Sequence, residues 1–287
     1  MATERAMSGR PGRGLLIAKR IGSYALLVAV AFVVLFPIYI TVVNSLLPTR
    51  EILARPPTFF PTSPRFSAYT EAFGAGHLGR YLVNSFIVTS LITAGQVGTA
   101  ILAAYAFAFL DFPLKRTIFF AFLATLMVPF EVTIVSNYDT IVNKLGWGDS
   151  YQALVLPFLA TGFAAFLLRQ TFLGVPRDLR DAAALDGYGH LRFLGRVVVP
   201  LARPTIAALS VFSFLLAWNQ YLWPLIVTND EKYRTVQIGL KALRGESLDK
   251  LDVVFAGTII AAIPIFVLLI VFNKQLVRGL TQGAVKG

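Results

Sequence analysis

Three groups of residues in this chain have the types and spacing to do chemistry. Glu131 is a lone acid inside an otherwise uncharged stretch, Thr117–Tyr138. Trp218, Asn219, Gln220 and Tyr221 follow one another in a second uncharged stretch. Asp178, Arg180, Asp181, Ala182, Ala183, Asp186, Gly187 and Gly189 crowd one short segment between Pro176 and Pro200. The first two groups can hold a polar molecule: amides and a carboxylate hydrogen-bond hydroxyls, and aromatic rings offer flat faces to a sugar or polyol. The third can hold a protein: small alanines permit close approach, and flanking charges pair with a partner. None of them breaks bonds. There is no Gly-x-x-x-x-Gly-Lys-Ser/Thr phosphate loop, no Gly-x-Ser-x-Gly and no His-Glu-x-x-His. Cysteine is absent, and His77 and His190 stand alone without a second ligand at metal spacing. The expectation is a protein without catalytic residues, metal or cofactor of its own.

Each group has an ordinary reading as well; for the third it is a connecting loop with charges for solubility. An acid within a membrane is costly and faces a cavity or a partner, yet Glu131 is only eight residues before Asp139 and fits an outer helix end near water. The Trp218–Tyr221 run fits a solute path. It also fits an aromatic belt at the membrane interface, or amides bonding between helices.

The elements that position these groups are membrane spans. Of 287 residues 56% are hydrophobic and only 14% charged, with a mean hydropathy of +0.69. Soluble domains carry nearer a quarter charged residues, so the surplus apolar surface must face lipid. About 20 apolar residues cross the hydrocarbon as a helix. Uncharged or nearly uncharged windows predict six spans, at residues 21–43, 81–110, 117–136, 151–168, 204–229 and 253–273. The first is preceded by Lys19 and Arg20 but is too long for a secretion signal and lacks a small-x-small cleavage site, so it reads as an uncleaved helix. Pro129 predicts a kink in the third span. Gly95, Gly98, Ala103 and Ala104 predict close helix packing in the second.

Charge gives the orientation. Net charge is +11. On a membrane protein that reflects basic cytoplasmic loops beside anionic lipid, not nucleic acid. Counting from the N-terminus, alternate segments outside the spans hold 16 Lys and Arg against 10, with net charges of +11 and +1. The positive-inside rule therefore puts the 1–20 tail, the 169–203 loop and the 274–287 tail in the cytoplasm. Residues 44–80, with five prolines, read as an extended cap on the other face, and 230–252 as a solvated turn or short helix. Within the 169–203 loop, Pro176 and Asp178 start a helix of about ten residues. Gly187 and Gly189 stop it by adopting the left-handed conformation. A second short helix has Leu191, Leu194, Val197 and Val198 on one side and Arg192 and Arg196 on the other, a pattern suited to the membrane face.

That loop carries a resemblance. Asp181-Ala182-Ala183, Asp186-Gly187, Gly189 and the run from Pro200 to Pro204 are similar, ungapped over residues 181–204, to the Glu-Ala-Ala loop of ABC importer permeases. Asp181 replaces the usual Glu, Tyr188 a small residue, and Leu194 a Phe. The chain as a whole resembles the carbohydrate-type permeases of the maltose G-subunit kind, including its closing Leu280–Gly287 tail. The Thr125–Val132 and Trp218–Pro224 stretches, Asp149-Ser-Tyr and Phe166-Leu-Leu-Arg-Gln are nearer to the E-subunit permeases of sn-glycerol-3-phosphate importers. The resemblance implies an all-α polytopic protein with type I importer architecture in a bacterial inner membrane. It implies a coupling helix that fits a cleft in an ATPase subunit, so that Asp178, Arg180, Asp181, Ala182, Ala183, Asp186, Gly187, Gly189 and Pro200 serve coupling. Glu131, Trp218, Asn219, Gln220 and Tyr221 remain solute-path candidates. Implied partners are a second homologous permease, two ATPase subunits that hold ATP and Mg²⁺, an extracytoplasmic solute-binding protein and the bilayer, without nucleic acid. The expected solute is glycerol-3-phosphate or a glycerophosphodiester, with a di- or oligosaccharide as the alternative. A stand-alone secondary transporter is the rival of another class, but it gives the loop no role; a lipid-modifying membrane enzyme is a further one, and the sequence lacks the clustered acids or histidines it would need.

Overall fold

A computed structural model describes residues 13–75, 77–246 and 250–281. Parts of the expected terminal tails, residues 1–12 and 282–287, lie outside them. Among the described residues all regular structure is helical. α1 (Arg13–Asn44) leads into a loop carrying α2 (Thr49–Ile52) and α3 (Ser67–Ala75). α4 (Leu78–Phe109) follows, then α5 (Lys115–Ala124) and α6 (Phe130–Tyr138), then α7 (Tyr151–Val155) and α8 (Gly162–Leu173). The basic loop holds α9 (Arg177–Leu185), α10 (His190–Phe193) and α11 (Val199–Leu201). The chain continues through α12 (Arg203–Trp218), α13 (Leu222–Val227), α14 (Val236–Glu246) and α15 (Leu251–Thr281).

α1, α4 and α15 are each long and apolar enough to cross a membrane, and three bent helix pairs raise the possible number to six. The expected third, fourth and fifth spans are not continuous helices. Pro129 breaks the third: the halves Lys115–Met127 and Phe130–Lys144 meet at 94°. The fourth bends by 45° between Tyr151–Phe158 and Gly162–Leu173. The fifth stops at Trp218 and resumes as α13. At 1.5 Å per residue α12 is about 24 Å long, short of the roughly 30 Å hydrocarbon layer.

α4 is the central strut, with α8 along one side and α12 along another, and α15 closing against α12. Gly95 permits this approach, since a Cβ there would strike the Leu159 side chain, whereas a Cβ on Gly98 would meet nothing. Small residues thus account for packing at one of the two glycines. α1 stands apart. Its side chains from Ile21 to Val34 are exposed apolar groups, Val33 at 70%, and it touches the bundle chiefly through α15.

Two loops are more structured than their composition implied. Inside the proline-rich segment α3 buries Ala68 and Ala72 completely against α15 and α4. In the 230–252 segment α14 buries Val236, Ile238 and Leu243 against α4 and α15. α4 pins the entry to α14. The Asn84 amide donates to the Lys232 and Arg234 carbonyls at 2.8 and 2.9 Å, the Ser85 hydroxyl accepts from the Val236 N–H at 2.8 Å, and Tyr151 donates to Asn84.

Candidate functional site

The three breaks open into one cleft of about 880 Å³. Thr125, Leu126, Phe130 and Glu131 come from the first break, Pro157, Phe158, Thr161 and Gly162 from the second, and Asn219 to Trp223 from the third. Lipid cannot satisfy backbone groups freed at a break, so broken helices at membrane depth must line a cavity or be rescued by side chains. Both occur here. From α4, Gln96 donates to the Phe158 carbonyl at 2.9 Å and Thr99 to the Leu159 carbonyl at 2.7 Å. The breaks are also tied to one another by rings. Phe130, Phe158 and Trp223 pack mutually with centroids 5.3 to 6.0 Å apart. The buried Trp223 indole donates to the Ala153 carbonyl at 2.9 Å.

Glu131, Asn219, Gln220 and Tyr221 line this cleft together. Glu131 sits in the first turn of α6, where the positive helix end favours a carboxylate, and it has no ion pair among the described residues. The Gln220 side-chain oxygen and the Tyr221 hydroxyl are buried without hydrogen-bond partners. Buried polar atoms are normally paired, so these two are exceptions at the helix break, and the Trp218 indole N–H beside them is a third. The Lys241 ammonium lies 5.2 Å from the centre of the Tyr221 ring.

Trp218 is a correction. Only 2% exposed, it does not line the cleft but stacks on Phe214, with centroids 5.7 Å apart, in the cluster formed by α3, α14 and α15. Adjacent residues on a helix face differently, and α12 ends at Trp218, which sends Asn219 to Tyr221 the other way. Trp223, which the sequence places in the same aromatic run as Trp218 and Tyr221, lines the cleft as well; Phe130, Phe158, Thr161 and Gln96 were not singled out from sequence. Pro157 before the 159–161 break was the available signal.

At the basic end of the bundle α9 runs nine residues, from Arg177 to Leu185. Asp178 lies in its first turn, favourable to the helix dipole by about 0.3–1 kcal/mol. Its stop is a Schellman turn. Gly187 takes φ +71°, the Tyr188 N–H donates to the Ala183 carbonyl at 2.8 Å, and the Gly187 N–H donates to the Ala184 carbonyl at 3.0 Å. Gly189 corrects expectation: its φ is −73°, extended backbone that starts α10, so Gly187 alone provides the left-handed stop.

α9 has one anchored side. Ala183 is 7% exposed and packs with Phe172, Phe193, Leu194, Val198 and Tyr105 in a cluster joining α4, α8 and the segment leading to α12. Tyr188 is half-buried in the same cluster, its ring under the Arg192 guanidinium at 4.3 Å, so its bulk folds back from the helix. The other side is open. Asp178, Arg180, Asp181, Ala182 and Asp186 are exposed, and none of the charged ones has an ion-pair or hydrogen-bond partner among the described residues. Arg180 and Asp181 border a groove of about 410 Å³ against the end of α4. Beyond α10, Leu194–Val198 forms a wide π turn that buries Leu194 and Val198 but leaves Leu191 78% exposed, against the expected apolar side. Pro200 lies half-buried in α11, just before the chain bends by 80° into α12.

Residues 96–282 match the family of binding-protein-dependent transport system inner membrane components. The chain belongs to this family. The match contains the cleft and the whole basic loop, and it sets aside the stand-alone carrier and the lipid enzyme. The sn-glycerol-3-phosphate transport system permease protein UgpE of Agrobacterium fabrum is 37% identical over 92% of this chain and 96% of its own. UgpE of Rhizobium meliloti is also 37% identical, over 93% and 97%. A bacterial ABC transporter that imports the acidic polysaccharide alginate shares the fold, with a TM-score of 0.78 at 22% identity over 93% of this chain and 99% of that one. The alginate transporter in complex with its pentasaccharide-bound periplasmic protein gives 0.64 at 14% identity over 90% and 94%. The chain is thus an integral membrane permease subunit of an ABC importer.

Proposed function

We propose that this permease admits glycerol-3-phosphate or glycerophosphodiesters through the cleft, by alternating access, in a bacterial inner membrane. The UgpE likeness over nearly the full chain supports the solute class. The observation that carries the path is the convergence of three helix breaks on two orphaned polar atoms, Gln220 Oε1 and Tyr221 Oη. Six spans within residues 21–273, with both tails and the 169–203 loop in the cytoplasm, accord with the charge distribution. One such chain makes half a pathway; a homologous permease supplies the other half, and a solute-binding protein delivers the solute from outside.

The chain itself needs no cofactor. ATP and Mg²⁺ belong to two ATPase subunits, each closing on a coupling helix. In this chain Asp178, Arg180, Asp181 and Asp186 meet the ATPase, Ala182 allows close approach, and Gly187 keeps the helix short. Ala183, together with Gly189 and Pro200 at the turns that follow, passes the push into α4, α8 and α12. The broken spans then re-angle about Phe130, Phe158 and Trp223, and the cleft changes the side on which it opens.

Glu131 favours a second reading. Among the described residues it is the only acidic or basic side chain lining the cleft apart from the Tyr221 phenol, and a carboxylate suits the hydroxyls of a neutral saccharide better than a phosphate. ATP hydrolysis by the reconstituted complex with its binding protein separates the two. Stimulation by glycerol-3-phosphate and glycerophosphodiesters is expected; stimulation by maltodextrins or trehalose alone would replace the solute assignment.

A further inference from the structure

A second cavity, of about 340 Å³, lies at the basic end of the bundle, between the start of α5 and the later part of α8. Its walls are Phe107, Phe119, Phe120, Lys115, Arg116 and Arg169. Three cations therefore face one small space. The Arg169 guanidinium lies over the Phe119 ring at 4.2 Å, with its Nε donating to the Phe107 carbonyl at 3.2 Å, so the side chain is fixed while its two terminal nitrogens stay uncommitted. Arg116 sits over Phe120 at 5.7 Å. Lys115 donates to the Leu110 carbonyl at 2.6 Å and has one acid nearby, Asp111 at 3.7 Å, itself 98% exposed. Neither arginine has a carboxylate partner among the described residues. No side chain caps the first turn of α5, whose opening residues Lys115 and Arg116 are two of the three cations.

We infer that this pocket binds the phosphate of an anionic phospholipid. Guanidinium forks match phosphate oxygens in pairs, and cations held over aromatic rings are pre-positioned. Three cations with one exposed acid, Asp111, beside them carry a net positive charge and repel one another, and a bound phosphate relieves that repulsion. The place fits a lipid better than a soluble anion. The pocket lies where α4 ends and α5 begins, at the loops that carry the excess positive charge, and its floor is phenylalanine. Basic pockets between helices at that boundary take anionic head groups, while Phe107 and Phe119 supply apolar surface for the chain beneath the phosphate. This site is separate from both the cleft and α9, so the substrate assignment does not bear on it.

The test is retention of lipid by the whole purified importer, read by native mass spectrometry after exchange into nanodiscs of phosphatidylcholine with or without phosphatidylglycerol. Wild type is expected to keep phosphatidylglycerol selectively. Arg116→Gln should weaken that retention about fivefold, the loss expected for one cation at an anionic surface, and Arg116→Lys less. Arg20→Gln removes the same charge elsewhere at the basic end and should change nothing. Equal retention by Arg116→Gln, or an equal loss in Arg20→Gln, would overturn the site. If millimolar inorganic phosphate displaces the lipid and raises the melting temperature as much, the ligand is a soluble phosphate and the lipid assignment falls. If the second permease excludes lipid from the pocket, wild type will retain none, which also overturns it.

Discussion

At Asn219–Tyr221 the chain leaves its helix with the Gln220 side-chain oxygen and the Tyr221 hydroxyl unpaired; at Ala183–Tyr188 it closes its helix with two turn hydrogen bonds. Both regions present polar groups without partners, but for opposite reasons. In the cleft the backbone is opened, and on the function proposed above its side chains meet a small molecule inside the bundle. In α9 the backbone is tightened and anchored on Ala183, and on the same reading its exposed side chains meet a protein outside the bundle. A force needs a stiff input and a compliant output. The contrast assigns the first to the Schellman-stopped helix and the second to the three breaks.

The contrast can be broken most severely at its stiff end. Gly187 sits at φ +71° with open space around it, so a side chain there is opposed by the backbone, at about 1–2 kcal/mol, and then projects toward the docking side. Gly187→Arg should lower transport by about a hundredfold or more, since a distorted interface of this kind loses several kcal/mol. The ATPase subunits should no longer co-purify, while the permease still inserts. Transport at the wild-type rate would remove the coupling assignment. Removing charge without bending the helix is milder. Asp181→Asn is expected to reduce ATPase co-purification by about tenfold, the scale of one charged interface hydrogen bond, and to leave melting unchanged because Asp181 is exposed and unpaired.

At the compliant end two substitutions separate structure from solute contact. Trp223→Phe removes the donor to Ala153, and the structure should lose about 1–3 kcal/mol, read as a lower melting temperature. Tyr221→Phe removes a hydroxyl that has no partner. Stability should therefore hold within about 0.5 kcal/mol, while transport falls about fivefold, the worth of one neutral hydrogen bond to the solute. A destabilised Tyr221→Phe with unaltered transport would show the hydroxyl to be structural. The smallest effect belongs to Trp218→Phe. Its indole N–H is unpartnered and its ring lies in the core, so solute preference should not change and stability should drop by less than about 1.5 kcal/mol.

Legibility in the sequence followed the physics of each region. α9 could be read closely because proline, acid and glycine act locally: Pro176 starts the helix, Asp178 meets its dipole, Gly187 stops it. The straight spans α1, α4 and α15 were equally plain from hydropathy, and Pro129 announced the 94° bend. The marker of the break after Trp218 lies downstream, since Pro224 has no N–H to give the Gln220 carbonyl four residues earlier. What the sequence does not show is the tertiary partner: Gln237, from a helix further along the chain, donates to the Trp218 carbonyl at 3.3 Å and to the Asn219 side chain at 3.4 Å. Periodicity fails across a break, so the sequence could gather Trp218, Asn219, Gln220 and Tyr221 but could not tell that the first turns to the core and the rest to the cleft. α3 and α14 were hidden for a related reason: prolines and charges near them spoke of solvent, while Ala68, Ala72 and Val236 were recruited by tertiary contacts.

The central claim is that motion entering at α9 changes the access of the cleft. The chain has no cysteine, so Asn219→Cys gives it a single thiol in the cleft wall. The rate at which a membrane-impermeant thiol reagent labels it from outside should be measured in the assembled importer, with and without ATP trapped at the ATPase subunits. Trapping should raise the labelling rate by about tenfold or more, the ratio of two states differing by over 1.4 kcal/mol, and Gly187→Arg should abolish the difference. Equal rates in both conditions would contradict the account.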